Sequence, residues 1–144
     1  MGEIRLLIAD DHSVVRQGLR MFLALDPDFQ IVGEASTGEE AIQLARKLRP
    51  QVVLMDLLMP GMGGVAATGT IRSEMPDVEV IALTSVLEDA AVTGAIRAGA
   101  IGYLLKNTEA EELRQVVGMK SAAVREILPR ATDEAVHRDY LVID

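Results

Sequence analysis

The sequence predicts an α/β fold, a three-layer sandwich with helices on both faces of a five-stranded parallel sheet. Three observations carry this. Short apolar runs alternate along the chain with segments whose apolar residues recur at helical spacing. Gly, Pro and Asp punctuate the junctions. The runs 4–9, 52–55 and 78–83 are apolar without alternation, as strands covered on both faces are.

The elements follow in order. Residues 4–9 form a strand that ends in two aspartates. Val14, Val15, Gly18, Leu19, Phe22 and Leu23 line one helix face, with Ser13 as its cap. Asp26-Pro27-Asp28 breaks that helix. Residues 29–35 alternate as an edge strand does. Thr37 caps a second helix, and Glu40 three residues on completes a capping box. Ala41, Ile42, Leu44, Ala45 and Leu48 are its buried face, and Arg49-Pro50 ends it. Residues 52–55 are a strand closed by Asp56, and 57–64 a loop rich in glycine. A weaker helix covers 65–72, where Gly69 costs about 1 kcal/mol relative to alanine. Residues 78–83 are a strand closed by Thr84, and 89–98 a helix stopped by Gly99. Residues 101–105 are a strand closed by Lys106. Thr108 caps a last helix, whose first turn holds Glu109, Glu111 and Glu112, where the helix dipole favours them. The strand order expected is 2-1-3-4-5, a flavodoxin-like sheet.

Composition bounds the function. A chain of 144 residues fits one domain with a sizeable core. Aromatics are 3%, so aliphatic side chains, Ala and Met must build that core. The absence of cysteine excludes disulfides and thiolate metal sites. No apolar run is long enough for a membrane span, and the N-terminus lacks a signal-peptide pattern, so a cytoplasmic protein is the default expectation. The net charge of −8 and the lack of a basic stripe argue against direct nucleic-acid binding.

In open parallel sheets, ligands bind beyond the carboxyl ends of the strands. Here those ends carry Asp10 and Asp11, Asp56, Thr84 and Lys106. In the expected order their strands are contiguous, so the five residues converge on one edge. Clustered carboxylates repel unless a cation balances them, and Mg²⁺ bound by carboxylates, waters and a phosphate oxygen is the natural solution. Carboxylate nucleophile, metal, ammonium and hydroxyl together make a phosphoryl-transfer arrangement. Taken singly, each residue has a plain structural reading: Asp11 as a helix cap, Thr84 as a turn residue. His12 reads as exposed and incidental, with an influence on the neighbouring acidic pair as the alternative, Glu88 and Asp89 as solvated charges at a helix start, and His137 has no assigned role.

On the motifs IADDH, VVLMDLLMPGMGG, IALTS and AGAIGYLLK the chain resembles bacterial response-regulator receiver domains, over residues 3 to about 116. The phrases DDHSVVRQGL and GYLLKN are most similar to the NarL/LuxR-type subgroup. The resemblance implies that Asp56 accepts a phosphoryl group from a sensor histidine kinase. It implies a Mg²⁺ site made by Asp11, Asp56 and the Leu58 backbone carbonyl, with Asp10 acting mainly through water. Thr84 and Lys106 would bond the phosphoryl group, and Tyr103 would be the switch aromatic that moves inward with Thr84. Its plain structural reading is a half-buried strand aromatic. Ser85 would leave room for the phosphoryl group, while Leu58 and Val86 would border the path of attacking water. A homodimer formed on phosphorylation through the first and last helices is also implied, with the face between strands four and five as the alternative.

Two departures stand out. Gly63 occupies a position where the family often has Asp, which predicts a more flexible loop. Residues beyond about 116 do not follow the usual route into a helix-turn-helix. The expected organisation is therefore a receiver domain over 1–120 and an extension of unknown role over 121–144, without that output domain. Leu113, Val116, Val117, Val124, Ile127 and Leu128 continue an apolar stripe toward Pro129, so the last helix is expected to run from Thr108 to Leu128. Competing readings are a stand-alone or pseudo-receiver interaction module, a phosphatase and a flavin or nucleotide binder. The phosphatase lacks a second carboxylate at Leu58, and the nucleotide binder lacks a G-x-G-x-x-G after the first strand.

Overall fold

The first strand, β1 (Ile4–Ala9), is apolar along its inner length because it sits inside the sheet. A computed structural model describes residues 4–24, 27–84 and 89–105. The remaining elements are α1 (Ser13–Leu23), β2 (Phe29–Ala35), α2 (Gly38–Leu48), β3 (Val52–Asp56), α3 (Gly64–Glu74), β4 (Glu79–Thr84), α4 (Asp89–Ala98) and β5 (Gly102–Leu105). The sheet is parallel with order β2-β1-β3-β4-β5, as expected from sequence. Ser85, Val86, Lys106, the Thr108 cap, the last helix and the 121–144 extension lie outside the described residues.

Each central strand feeds two cores. Leu7, Ala9, Val53, Met55, Val80 and Ala82 face one cluster, which α2, α3 and α4 complete with residues such as Ile42, Ile71 and Ala95. Leu6, Ile8, Val52, Leu54, Ile81 and Leu83 face the other, with Leu23 and Leu19 of α1. This two-sided burial is why the runs showed no alternation. Each buried Val, Leu, Ile or Met side chain among them contributes about 1.5–3 kcal/mol on burial.

Local signals hold the ends. Thr37 Oγ1 accepts the Glu40 N–H at 3.1 Å, and Glu40 Oε1 accepts the Ser36 N–H at 2.7 Å, so the capping box closes one residue further back than its usual form. Arg49 ends α2 in the left-handed region at φ 48°, its N–H bonded to Ala45 O. Gly99, at φ 117°, ends α4 where a side chain would be strained.

Three details differ from the sequence reading. The first bond of α1 runs from Arg16 N–H to the His12 carbonyl, which places His12 rather than Ser13 at the cap. The pairing of β2 with β1 skips Val32: Leu6 faces Ile31 and Leu7 faces Gly33. That bulge interrupts the alternation expected along β2. The third concerns β4, whose first residue, Glu79, is fully buried. Arg72 of α3 reaches it at 3.2 Å, and its guanidinium also donates to Val78 O at 2.6 Å and Gly99 O at 3.1 Å. One side chain thereby ties α3, β4 and the end of α4 together.

Candidate functional site

Asp10 follows β1 and is completely buried. Its N–H donates to Ala35 O at 3.0 Å, which extends the ladder with β2 beyond Ala9. Its Oδ1 accepts the His12 N–H at 2.8 Å, and its carbonyl accepts Arg16 Nη1 at 2.6 Å. Arg16 is itself aligned by Glu34 of β2, through Nε at 3.1 Å, and Arg20 holds the other Glu34 oxygen at 2.9 Å. The turn that presents the acidic pair is thus fixed from both sides. Asp11 is more open, with its side chain 28% exposed.

Asp56 is the last residue of β3 and is 2% exposed. Its Oδ1 lies 3.3 Å from the Leu58 N–H, a long hydrogen bond. The following loop is pinned by Leu57 N–H to Leu83 O and by Gly64 N–H to Leu57 O, both 3.1 Å. A Cβ on Gly64 would overlap the Asp56 carbonyl oxygen, so glycine is what lets α3 start this close to the strand end. Gly63 stands at the α3 cap with no side-chain cap bond. Thr84 ends β4 one residue beyond Leu83, the register partner of Asp56, and is buried. Tyr103 is 1% exposed and belongs to the core on the α2–α4 side, more deeply placed than a half-buried strand aromatic.

Asp10, Asp11, His12 and Asp56 each offer one ligand atom, all within 4.8 Å of one another. Asp11 Oδ1 is buried and accepts no hydrogen bond among the described residues. Three convergent carboxylates, one with a buried oxygen awaiting a donor, suit a hard divalent cation. Sequence reasoning located all three. It missed the contacts of His12, whose Nδ1 lies 3.1 Å from Asp10 Oδ1 and 3.2 Å from Asp11 Oδ1. It also missed Arg16. The adjacency of His12 to the acidic pair was the available signal, but the direction of its ring is set by the turn.

Residues 6–118 match the response regulator receiver domain family. The chain belongs to that family. The receiver domain is 47% identical to the transcriptional regulatory protein LiaR of Bacillus subtilis (strain 168) over 114 residues, 79% of this chain and 54% of LiaR. It thus spans about half the length of that relative. Among solved structures it is similar to the signal receiver domain of NarL from Mycobacterium tuberculosis (29% identity, TM-score 0.71, 93% of this chain and 96% of that one). A two-component response regulator of the LuxR family from Aurantimonas sp. SI85-9A1 superposes with TM-score 0.78 at 32% identity, covering 93% of this chain and 96% of that one. These likenesses place the receiver domain in the NarL/LuxR-type subgroup. Its family is one of signalling domains of two-component systems. Among the described residues, no helix is long and apolar enough to cross a membrane.

Proposed function

We propose that this receiver domain is a phosphorylation-dependent switch in which Asp56 accepts a phosphoryl group from a sensor histidine kinase. The observation that carries the reading is the convergence of Asp10, Asp11 and Asp56 at the carboxyl ends of adjacent strands. Asp11 and Asp56, with the Leu58 carbonyl, would hold Mg²⁺ directly and Asp10 through water. When bound, that ion neutralises charge on the carboxylates and the transferring group. The Asp56 carboxylate attacks phosphorus, a P–O bond forms, and the P–N bond to the kinase histidine breaks. The buried setting of Asp56 keeps competing water from most of its surface. Thr84 and Lys106 bond the phosphoryl oxygens. Thr84 and Tyr103 then bias the domain toward one of two states, and the buried ring of Tyr103 suits the inward one.

The output in this reading is a symmetric homodimer formed through the first and last helices, which controls transcription in a longer protein. The receiver spans 1–120, residues 121–144 serve as an extension, and this chain makes no direct nucleic-acid contact. The test is incubation with acetyl phosphate and Mg²⁺ followed by intact mass. One labile phosphate is expected on the wild type and none on Asp56→Asn, whose amide is nearly isosteric but cannot form the acyl phosphate. Stoichiometric phosphorylation of the variant would refute the acceptor, and an unmodified wild type would favour a pseudo-receiver that serves as an interaction module.

A further inference from the structure

We propose that His12 is a ligand-capable group of the acidic site, one that shifts its divalent-ion preference from Mg²⁺ toward imidazole-binding transition metals. The inference rests on the reading of Asp10, Asp11 and Asp56 as a divalent-cation site. Its own observation is the imidazole. His12 Nδ1 stands 3.1 Å from Asp10 Oδ1 and 3.2 Å from Asp11 Oδ1. Two ligands bound at about 2.1 Å and at right angles are about 3 Å apart, so the ring nitrogen and the Asp11 oxygen are spaced as neighbours in one coordination shell, with Asp10 outside it.

A single N–H cannot point at two carboxylates at once, and only the Asp10 contact is a hydrogen bond. The buried Asp11 oxygen beside the ring is left for another partner. The main chain of His12 is held at both ends of the turn, by its N–H on Asp10 Oδ1 at 2.8 Å and its carbonyl on the Arg16 N–H at 3.1 Å. The ring itself is 63% exposed, so it can turn without disturbing the core. Mg²⁺ selects oxygen and gains little from such a group. Co²⁺, Ni²⁺ and Zn²⁺ favour imidazole, and the difference appears as selectivity rather than as a new site.

The experiment titrates the full chain with Co²⁺ and separately with Mg²⁺, by calorimetry, in the wild type, His12→Ala, His12→Asn and Asp11→Asn. Asparagine places an amide N–H near the position of Nδ1, so it preserves a hydrogen bond to Asp10 but not nitrogen ligation. Loss of Co²⁺ affinity by about tenfold or more is expected in both His12 variants, with Mg²⁺ affinity changed less than about twofold. The wild-type Co²⁺ form should also show hyperfine-shifted imidazole protons that His12→Ala removes. Equal losses for both ions, rescue of Co²⁺ binding by asparagine, or Co²⁺ binding indifferent to both substitutions would overturn the proposal. Failure of the underlying site reads differently: Mg²⁺ would bind wild type and Asp11→Asn alike.

Discussion

Leu58 stands two residues after the proposed acceptor and is 54% exposed, an unusual place for a large aliphatic side chain. In the proposed reading it would border the approach of water to an acyl phosphate on Asp56, and an aliphatic side chain offers no hydrogen bond to orient that water. Leu58→Asn should therefore speed dephosphorylation severalfold while leaving the rate of phosphorylation by a small donor similar. Phosphate release after removal of donor measures it. A wild-type half-life of seconds, or a variant no faster, would contradict the shielding role. At this scale Asp10, Asp11, Asp56 and Thr84 were readable because each closes an apolar run. His12 and Arg16 were not. Their partners, two carboxylates for one and the Asp10 carbonyl with Glu34 for the other, are chosen by the turn after β1 and by the edge strand.

The helices offer two tests of element ends. Gly63 caps α3 at φ −70° without a side-chain bond, and a Cβ there would meet only Leu57 O at 3.5 Å. Gly63→Asp has room and compatible backbone, so it should stabilise the domain by a few tenths of a kcal/mol, about the usual gap between Gly and Asp at a cap. Urea denaturation checks this, and a destabilised variant would show that the loop does not accept the cap. The second test concerns Arg46 of α2 and Glu74 of α3, joined by bonds of 2.8 and 2.6 Å. The hydrogen bond from Arg46 holds the Glu74 carboxyl below its ordinary range, and Glu74 raises Arg46 in turn. A depressed carboxylate stabilises the fold above its unfolded-state value, and that gain disappears as pH falls through the folded one. Wild type should therefore melt slightly above Glu74→Gln near neutral pH, and the gap should close in acid. Both groups are exposed, so added salt should also narrow it. A gap constant with pH would assign the effect to packing.

For the whole molecule, the proposed metal site links ion binding to folding. An ion that binds only the native state stabilises it by about 2.7 kcal/mol at a concentration about 100-fold above Kd. Millimolar Mg²⁺ should raise the melting temperature of the wild type and leave Asp11→Ala almost unmoved, because the repulsion it relieves exists only when the strand ends are together. Equal shifts in both would remove the site. The fold also buries Glu79 at the start of β4, with Arg72 brought to it from α3. Breaking such a pair leaves an uncompensated buried charge, a larger penalty than the pair's own net contribution.

The sequence by itself determined the element order, the parallel sheet and the three aspartates, because apolar runs, turn residues and strand-end polarity are local properties. The Thr37 capping box and the stop at Gly99 were legible for the same reason. Only the tertiary structure decided the Val32 bulge, which depends on how β2 registers against β1. It alone matched Glu79 with Arg72, and it alone turned the His12 ring onto both carboxylates. These features involve groups brought together by packing and backbone direction, and a pattern of residue types along the chain carries no record of either.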